Sequence, residues 1–301
     1  MKAKSRITFL LILAGIVTSV FASGDIALAD SLYDSEQFEQ CKSELVSQLQ
    51  GETESLQQAQ ILWRLSRVQV ALGDDLDKED KAKRFEAYEL GEEYANQSIE
   101  KQPLPLAFLW RSSNLGRWGQ TKGPLNSLSK AKGMLADLTQ VVNTFNTLDS
   151  SETWYVLSSL YDELPGGPIS FGNGIWAVSY MRKALDTIPS NLLYPGHYKK
   201  LAEELYSRNW DSSKRKKEII KMQANWEKDA TNLEKFRYYE GKDGKAGKPF
   251  YSSVTLEKMS DRQEAVMILR YALAKYKVFS TPKTSDEKDI REITALLGEW
   301  T

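Results

Sequence analysis

The chain has 301 residues, 41% hydrophobic and 11% aromatic, with 40 basic against 41 acidic residues, one histidine and one cysteine. That apolar content suffices for a sizeable core and argues against a disordered chain. The balanced charge gives no basis for holding a phosphate backbone, so nucleic acid is not an expected partner, and single Cys and His residues exclude an internal disulfide and a thiolate or imidazole metal cluster.

Lys2, Lys4 and Arg6 precede an apolar stretch over residues 7–22, the layout of a signal peptide. Small residues suit cleavage after Ala22 or after Ala29, and the segment is short for a bilayer span. Export to a periplasm is therefore expected, with no stable membrane span after cleavage; an uncleaved N-terminal anchor is the alternative. Loss of residues 1–22 removes three cations and no acid, leaving a net charge of −4. Cys41, too far from the apolar stretch to carry a lipid, reads as a buried residue.

With 18 glycines and 9 prolines, the composition favours helices. Asp34 and Gln37 stand where a capping box would open a first helix, with Phe38, Cys41, Leu45 and Leu49 on one face. A second helix runs from Ser55 to Leu72 and stops at Gly73; a third ends before Pro103. Residues 106–119 and 125–145 read as another pair.

Trp154, Leu157, Ser158 and Tyr161 then occupy the first-helix offsets of a tetratricopeptide repeat, and Ala177, Met181, Ala184 and Pro189 the second-helix offsets. A degenerate copy lies at Trp63, Ser66, Arg67 and Val70 with Gly91, Ala95, Ser98 and Pro103. Tyr198, Leu201, Ala202 and Leu205 start a further repeat, for which residues 212–230 supply the second helix. Small residues let backbones approach, large ones fill the remaining space, and proline ends the pair. The expectation is an all-α stack of antiparallel helix pairs over residues 30–235. A Gly- and Lys-rich loop or hairpin over 236–253 then leads to C-terminal capping helices over 254–301, where Ser260 with Gln263, and Thr284 with Glu287, are capping signals.

The loop LPGGPISFGNG, residues 164–174, lengthens the turn between paired helices. It lacks the Lys-Ser/Thr of a P-loop and the spacing of a dinucleotide fingerprint, so it reads as a structured turn with a capacity to cover a groove. Helix pairs with a lengthened turn, the LPGG of residues 164–167 and the AxxxMxxA pattern of residues 177–189 resemble the TatT family, periplasmic tetratricopeptide proteins associated with tripartite ATP-independent transporters. The likeness spans roughly residues 55–210. It implies a helical protein that binds apolar small molecules and works beside an exported solute-binding protein. The chain departs from the family in lacking a lipid-attachment cysteine and in carrying a long C-terminal extension.

No catalytic, cofactor or metal constellation emerges. His197 follows Pro195-Gly196 at a helix start and no GxSxG occurs, so structural or surface use is expected. The pairs Asp162-Glu163 and Glu203-Glu204 point in diverging directions on a helix, and Lys214-Arg215-Lys216-Lys217 reads as an exposed helix start. In a stacked solenoid the residue after each first-helix anchor faces the inner groove, which nominates Arg64, Tyr155 and Lys199. One turn on stand Ser159, Asp162 and Glu203, with Phe108 and Ser112 from the intervening pair. Phe171, Asn173 and Trp176, in and just after the lengthened turn, are candidates to fold back over these positions if the turn is a lid and not only a turn. The expected function is non-enzymatic binding of a partner protein, peptide or apolar ligand. The alternatives are a hydrolase using buried carboxylates near the Gly-rich loop, and a structural envelope protein without a ligand.

Overall fold

The computed structural model describes residues 20–123, 128–242 and 247–301. The charged start and most of the apolar stretch of the expected signal peptide lie outside the described residues. Among those described, the fold is all-α, with thirteen α-helices and no strand. The first four are α1 (Val20–Asp34), α2 (Phe38–Gly51), α3 (Ser55–Asp75) and α4 (Lys81–Lys101). Gly73 does not stop α3. A Cβ there would sit 2.3 Å from the Tyr88 ring, so glycine serves the close approach of α4 instead.

The next four are α5 (Pro105–Lys122), α6 (Leu128–Thr139), α7 (Ser151–Glu163) and α8 (Gly174–Asp186), with a π-turn over Gln140–Thr144 after α6. Each of the three successive pairs is pinned by a buried serine that donates to a carbonyl of its partner helix. Ser98 reaches Ala59 O at 2.8 Å, Ser112 reaches Met134 O at 3.3 Å and Ser158 reaches Ala177 O at 2.9 Å. Side chains short enough to let the helices touch thereby gain a partner inside the core. Trp154, Leu157, Ser158, Tyr161, Ala177, Met181 and Ala184 are all buried, as the repeat spacing requires.

The chain then forms α9 (Pro195–Arg208), α10 (Ser212–Lys228), α11 (Asn232–Phe236), α12 (Asp261–Val278) and α13 (Thr284–Trp300). Here the expected pairing is corrected: α9 packs along α12, not α10. The apolar face of α9, Tyr198, Leu201, Ala202 and Leu205, meets a stripe of small and branched residues on α12, Ala265, Ile268, Leu269 and Ala272. Helix α10 buries only Arg215, Ile219 and Met222 and instead packs on the short 3₁₀ turns Tyr239–Gly241 and Leu256–Lys258. Arg215 is fully buried, so Lys214–Lys217 is not a uniformly exposed run. Residues 243–246 of the Gly- and Lys-rich loop lie outside the described residues.

Of the three expected capping pairs one forms; on α13 the N-cap is Lys283, with Asp286, in place of Thr284 with Glu287. Ser260 and Gln263 make both bonds of a capping box on α12, at 3.2 and 2.8 Å. Asp34 and Gln37 do not: Asp34 ends α1, and Gln37 is an N-cap without a side-chain bond. On α13 the carboxylate of Glu36, some 250 residues earlier, accepts from the backbone N–H groups of Thr284 at 2.7 Å and Ser285 at 3.1 Å. A carboxylate suits a helix N-terminus, where unpaired N–H groups and the helix dipole meet it. This contact ties the first helical hairpin to the last helix. Cys41 is fully buried, its Sγ 3.1 Å from Ala29 O.

Candidate functional site

Helices α5 and α7 approach each other across the inner face without filling it. Trp110, Ser113, Arg117 and Gln120 form one stripe of α5, at helical spacing; Glu152, Tyr155, Ser159 and Glu163 form the facing stripe of α7. Between them lies a cavity of about 210 Å³ with a floor of Val70, Leu115, Ala131, Met134 and Leu160. Gly116 contributes to the space, since a Cβ there would lie 3.1 Å from the end of Met134. A closed apolar cavity of about 150 Å³ accommodates benzene, so this one suits a small apolar body.

One end is strapped shut. Gln120 Nε2 donates to Glu163 Oε1 at 2.7 Å, and Arg117 donates to Gln120 Oε1 at 2.9 Å while pairing with Asp74 at 3.0 Å. At the other end Trp110, Glu152 and His197 line both this cavity and a second one of about 660 Å³. The second is bounded by the α1–α2 turn, Arg67, the loop before α9 and residues 279–286. The three residues form a throat between an apolar chamber and a charged one.

His197 sits between two aromatic rings, 4.7 Å from Tyr155 and 5.0 Å from Tyr194. Burial pushes its pKa down to about 4, against the pull of Glu152 and a backbone hydrogen bond to Ser151. The imidazole is uncharged at neutral pH. A histidine whose folded pKa lies below its unfolded value of about 6.5 lowers stability as pH falls through the interval between them. In urea melts the stability of wild type relative to His197→Phe should therefore fall by about 2–3 kcal/mol between pH 7.5 and pH 4.5. A constant difference would refute this.

Of the nominated groove residues, Tyr155 and Ser159 line the cavity. Trp154 is fully buried and Tyr155 only partly so, which places the α7 register where the sequence put it. The other nominated residues do not line the cavity. Arg64 is committed to Asp30 through Nε at 3.0 Å and Nη2 at 2.8 Å, clamping α1 to α3. Phe108 packs at a tilt against Phe145 and Ser112 points to α6, so the lining face of α5 is Trp110, Ser113 and Arg117. Lys199 pairs with Asp289 and Glu292 of α13, and Glu203 is exposed and does not line the cavity. Asp162 is exposed and pairs with Lys200.

Of the lengthened turn, Leu164 lines the cavity, while Phe171 and Asn173, with Trp176 beyond it, do not. Phe171 and Trp176 pack edge-on against Tyr161, at 5.6 and 5.4 Å, and Asn173 caps α8 through bonds from Ile175 N and Trp176 N. Gly172 sits so close to Leu164 O that a Cβ would lie 1.8 Å away, and Gly167 has φ +70°. These glycines serve turn geometry. The residue pattern missed Trp110, Arg117, Gln120 and His197, although the spacing of the first three on one helix face was a usable signal.

The perturbed carboxylate of the region is Glu204. Burial pushes it up to about 8, and its Oε1 lies 2.5 Å from Ser158 Oγ and 3.5 Å from Lys200 Nζ. Ser158 Oγ is placed to donate to Glu204 Oε1 or to Ala177 O, both within hydrogen-bond distance. Ser158 and Glu204 are buried, and none of the three lines either cavity.

No protein-family model and no curated protein matches the chain. The TatT resemblance therefore rests on the residues quoted above.

Proposed function

We propose that this chain is an exported, non-enzymatic binding protein that holds an apolar small molecule between α5 and α7. The observation that carries the reading is the largely apolar chamber, floored by Val70, Leu115, Met134 and Leu160 and walled by Tyr155. Cavities of this kind, with a few directed polar groups, are how small ligands are usually held. A small ligand is favoured over a peptide because the chamber, about 210 Å³, has no room for an extended chain. The TatT resemblance adds a place beside an exported solute-binding protein in transport. A Ser158-Glu204-Lys200 hydrolase is disfavoured because substrate would have to reach a buried serine.

Export suits cleavage after Ala22. Ala29 is fully buried in the N-terminal core with Leu45, Leu62 and Leu65, its carbonyl meets Cys41, and Asp30 holds Arg64 and Arg67. The mature chain should begin at Ser23 by N-terminal sequencing; a start at Asp30 would strip Ala29 from that core and count against the assignment. For the ligand, protein expressed with its own leader should release a small molecule in native mass spectrometry. Protein that carries nothing and does not bind N-phenyl-1-naphthylamine would overturn the proposal.

A further inference from the structure

The throat holds two polar atoms with nothing to bond. Trp110 Nε1 and His197 Nε2 are buried and have no partner among the described residues, and both side chains line both cavities. A buried donor or acceptor left unmade is costly. The two atoms are opposite in kind. An indole N–H only donates. An uncharged imidazole engaged at the Ser151 backbone presents its free Nε2 as an acceptor.

The surrounding groups narrow what completes them. Glu152 of α7 faces the same throat and already accepts from Tyr194 Oη at 3.0 Å. From α3, Arg67 is drawn to Asp30 at 2.7 Å. A ligand carboxylate would meet the Glu152 charge and would offer no proton to Nε2. An ammonium would suit Glu152 but could not accept from the indole. A hydroxyl does both, accepting one hydrogen bond and donating another.

We propose that the throat selects an alcohol: an apolar molecule whose body lies between α5 and α7 and whose hydroxyl accepts from Trp110 Nε1 and donates to His197 Nε2. This rests on the reading of the chamber as an apolar ligand site. The hydroxyl sits where the apolar chamber opens to the charged one, so the body is desolvated and the head satisfied in one pose.

The test uses the full chain at pH 7.5 and displacement of N-phenyl-1-naphthylamine by three probes of one chain length: 1-octanol, octanoate, and methyl octyl ether, which accepts but cannot donate. Octanol should displace the dye at about tenfold lower concentration than the ether or octanoate, as one or two neutral hydrogen bonds imply. His197→Phe should bring octanol to the level of the ether while leaving the ether within about twofold. Trp110→Phe removes the donor both oxygens accept from, so it should weaken octanol and ether alike. An octanol advantage that survives His197→Phe would overturn the proposal. Equal displacement by octanol and ether, as expected if a trapped water completes the two atoms, would overturn the alcohol proposal and leave the chamber reading intact. So would preference for octanoate. No dye binding at all would overturn the chamber reading itself. Because His197 is the only histidine, its Nε2 nitrogen resonance in wild-type protein reports the bond without any variant. It should shift on adding octanol and stay unmoved with the ether; an unmoved resonance with bound octanol refutes the proposal.

Discussion

Glu264→Ala should destabilise the protein by about 3–5 kcal/mol, the cost of breaking a buried ion pair from one side. Glu264, on α12, is fully buried; its Oε1 accepts from Arg182 Nη1 and Tyr251 Oη, each at 2.6 Å. Its Oε2 accepts from Arg182 Nη2 at 2.7 Å and Arg215 Nη2 at 2.5 Å. Arg208 bridges Glu240 at 2.7 Å and Asp261 at 2.8 Å in the same cluster. Arginines from α8, α9 and α10 are thus neutralised by carboxylates from α12 and the Tyr239–Gly241 turn, and removal of one acid leaves guanidinium charge stranded without water.

Glu264→Gln should cost nearly as much, because an amide turns an N–H toward the arginine donors. Removing both partners, as Arg182→Met with Glu264→Leu, should cost clearly less than the two single changes together. Urea melts followed by tryptophan fluorescence measure all four, and strict additivity would show that the pair is not coupled. The same cluster sets an acid limit. Its arginines hold Glu264 down to about 2 and Glu240 lower still, so their contribution is complete above the ordinary carboxylate value and is lost as pH falls from about 4.5 toward 2.

Nothing local announces this cluster. Arg215 stands among lysines that look solvated, and its partners lie 25 to 49 residues away. The helix pair of α7 and α8 was legible for the opposite reason: small and large residues at fixed offsets describe a contact between neighbouring segments. Legibility declined wherever a distant element decided a residue's surroundings. Asp30 claimed Arg64 and α13 covered Lys199, so neither reached the groove that their repeat positions pointed to. In α5 no anchor fixed the register, and the lining face fell on Trp110 and Ser113, beside the nominated Ser112. His197 resembled an ordinary helix-start residue, because its meaning comes from Trp110 and Glu152 on two other helices.

The adjacent residues Trp154 and Tyr155 should separate stability from binding. Trp154 is fully buried, lies 5.9 Å from Tyr180 and 4.7 Å from Phe236 by ring centroids, and donates from Nε1 to Leu148 O at 3.1 Å. Trp154→Ala should therefore cost about 3–5 kcal/mol, from lost contacts and the cavity left behind. Because Phe236 belongs to α11, the damage should reach past the α7–α8 pair into the segment that carries Glu240. Tyr155 is only partly buried, borders the cavity and packs at a tilt against His197. Tyr155→Ala should cost about 1 kcal/mol or less of stability, since much of its ring area already borders open space. Under the binding proposal it should instead weaken a bound apolar probe by about 1–3 kcal/mol, as loss of an aromatic anchor does. Thermal melts and dye titrations on both variants decide the matter. If Tyr155→Ala unfolds the protein as readily as Trp154→Ala, the ring is a core residue and the chamber cannot open to a ligand. If it leaves both stability and dye affinity unchanged, the wall it forms is not the one a ligand touches.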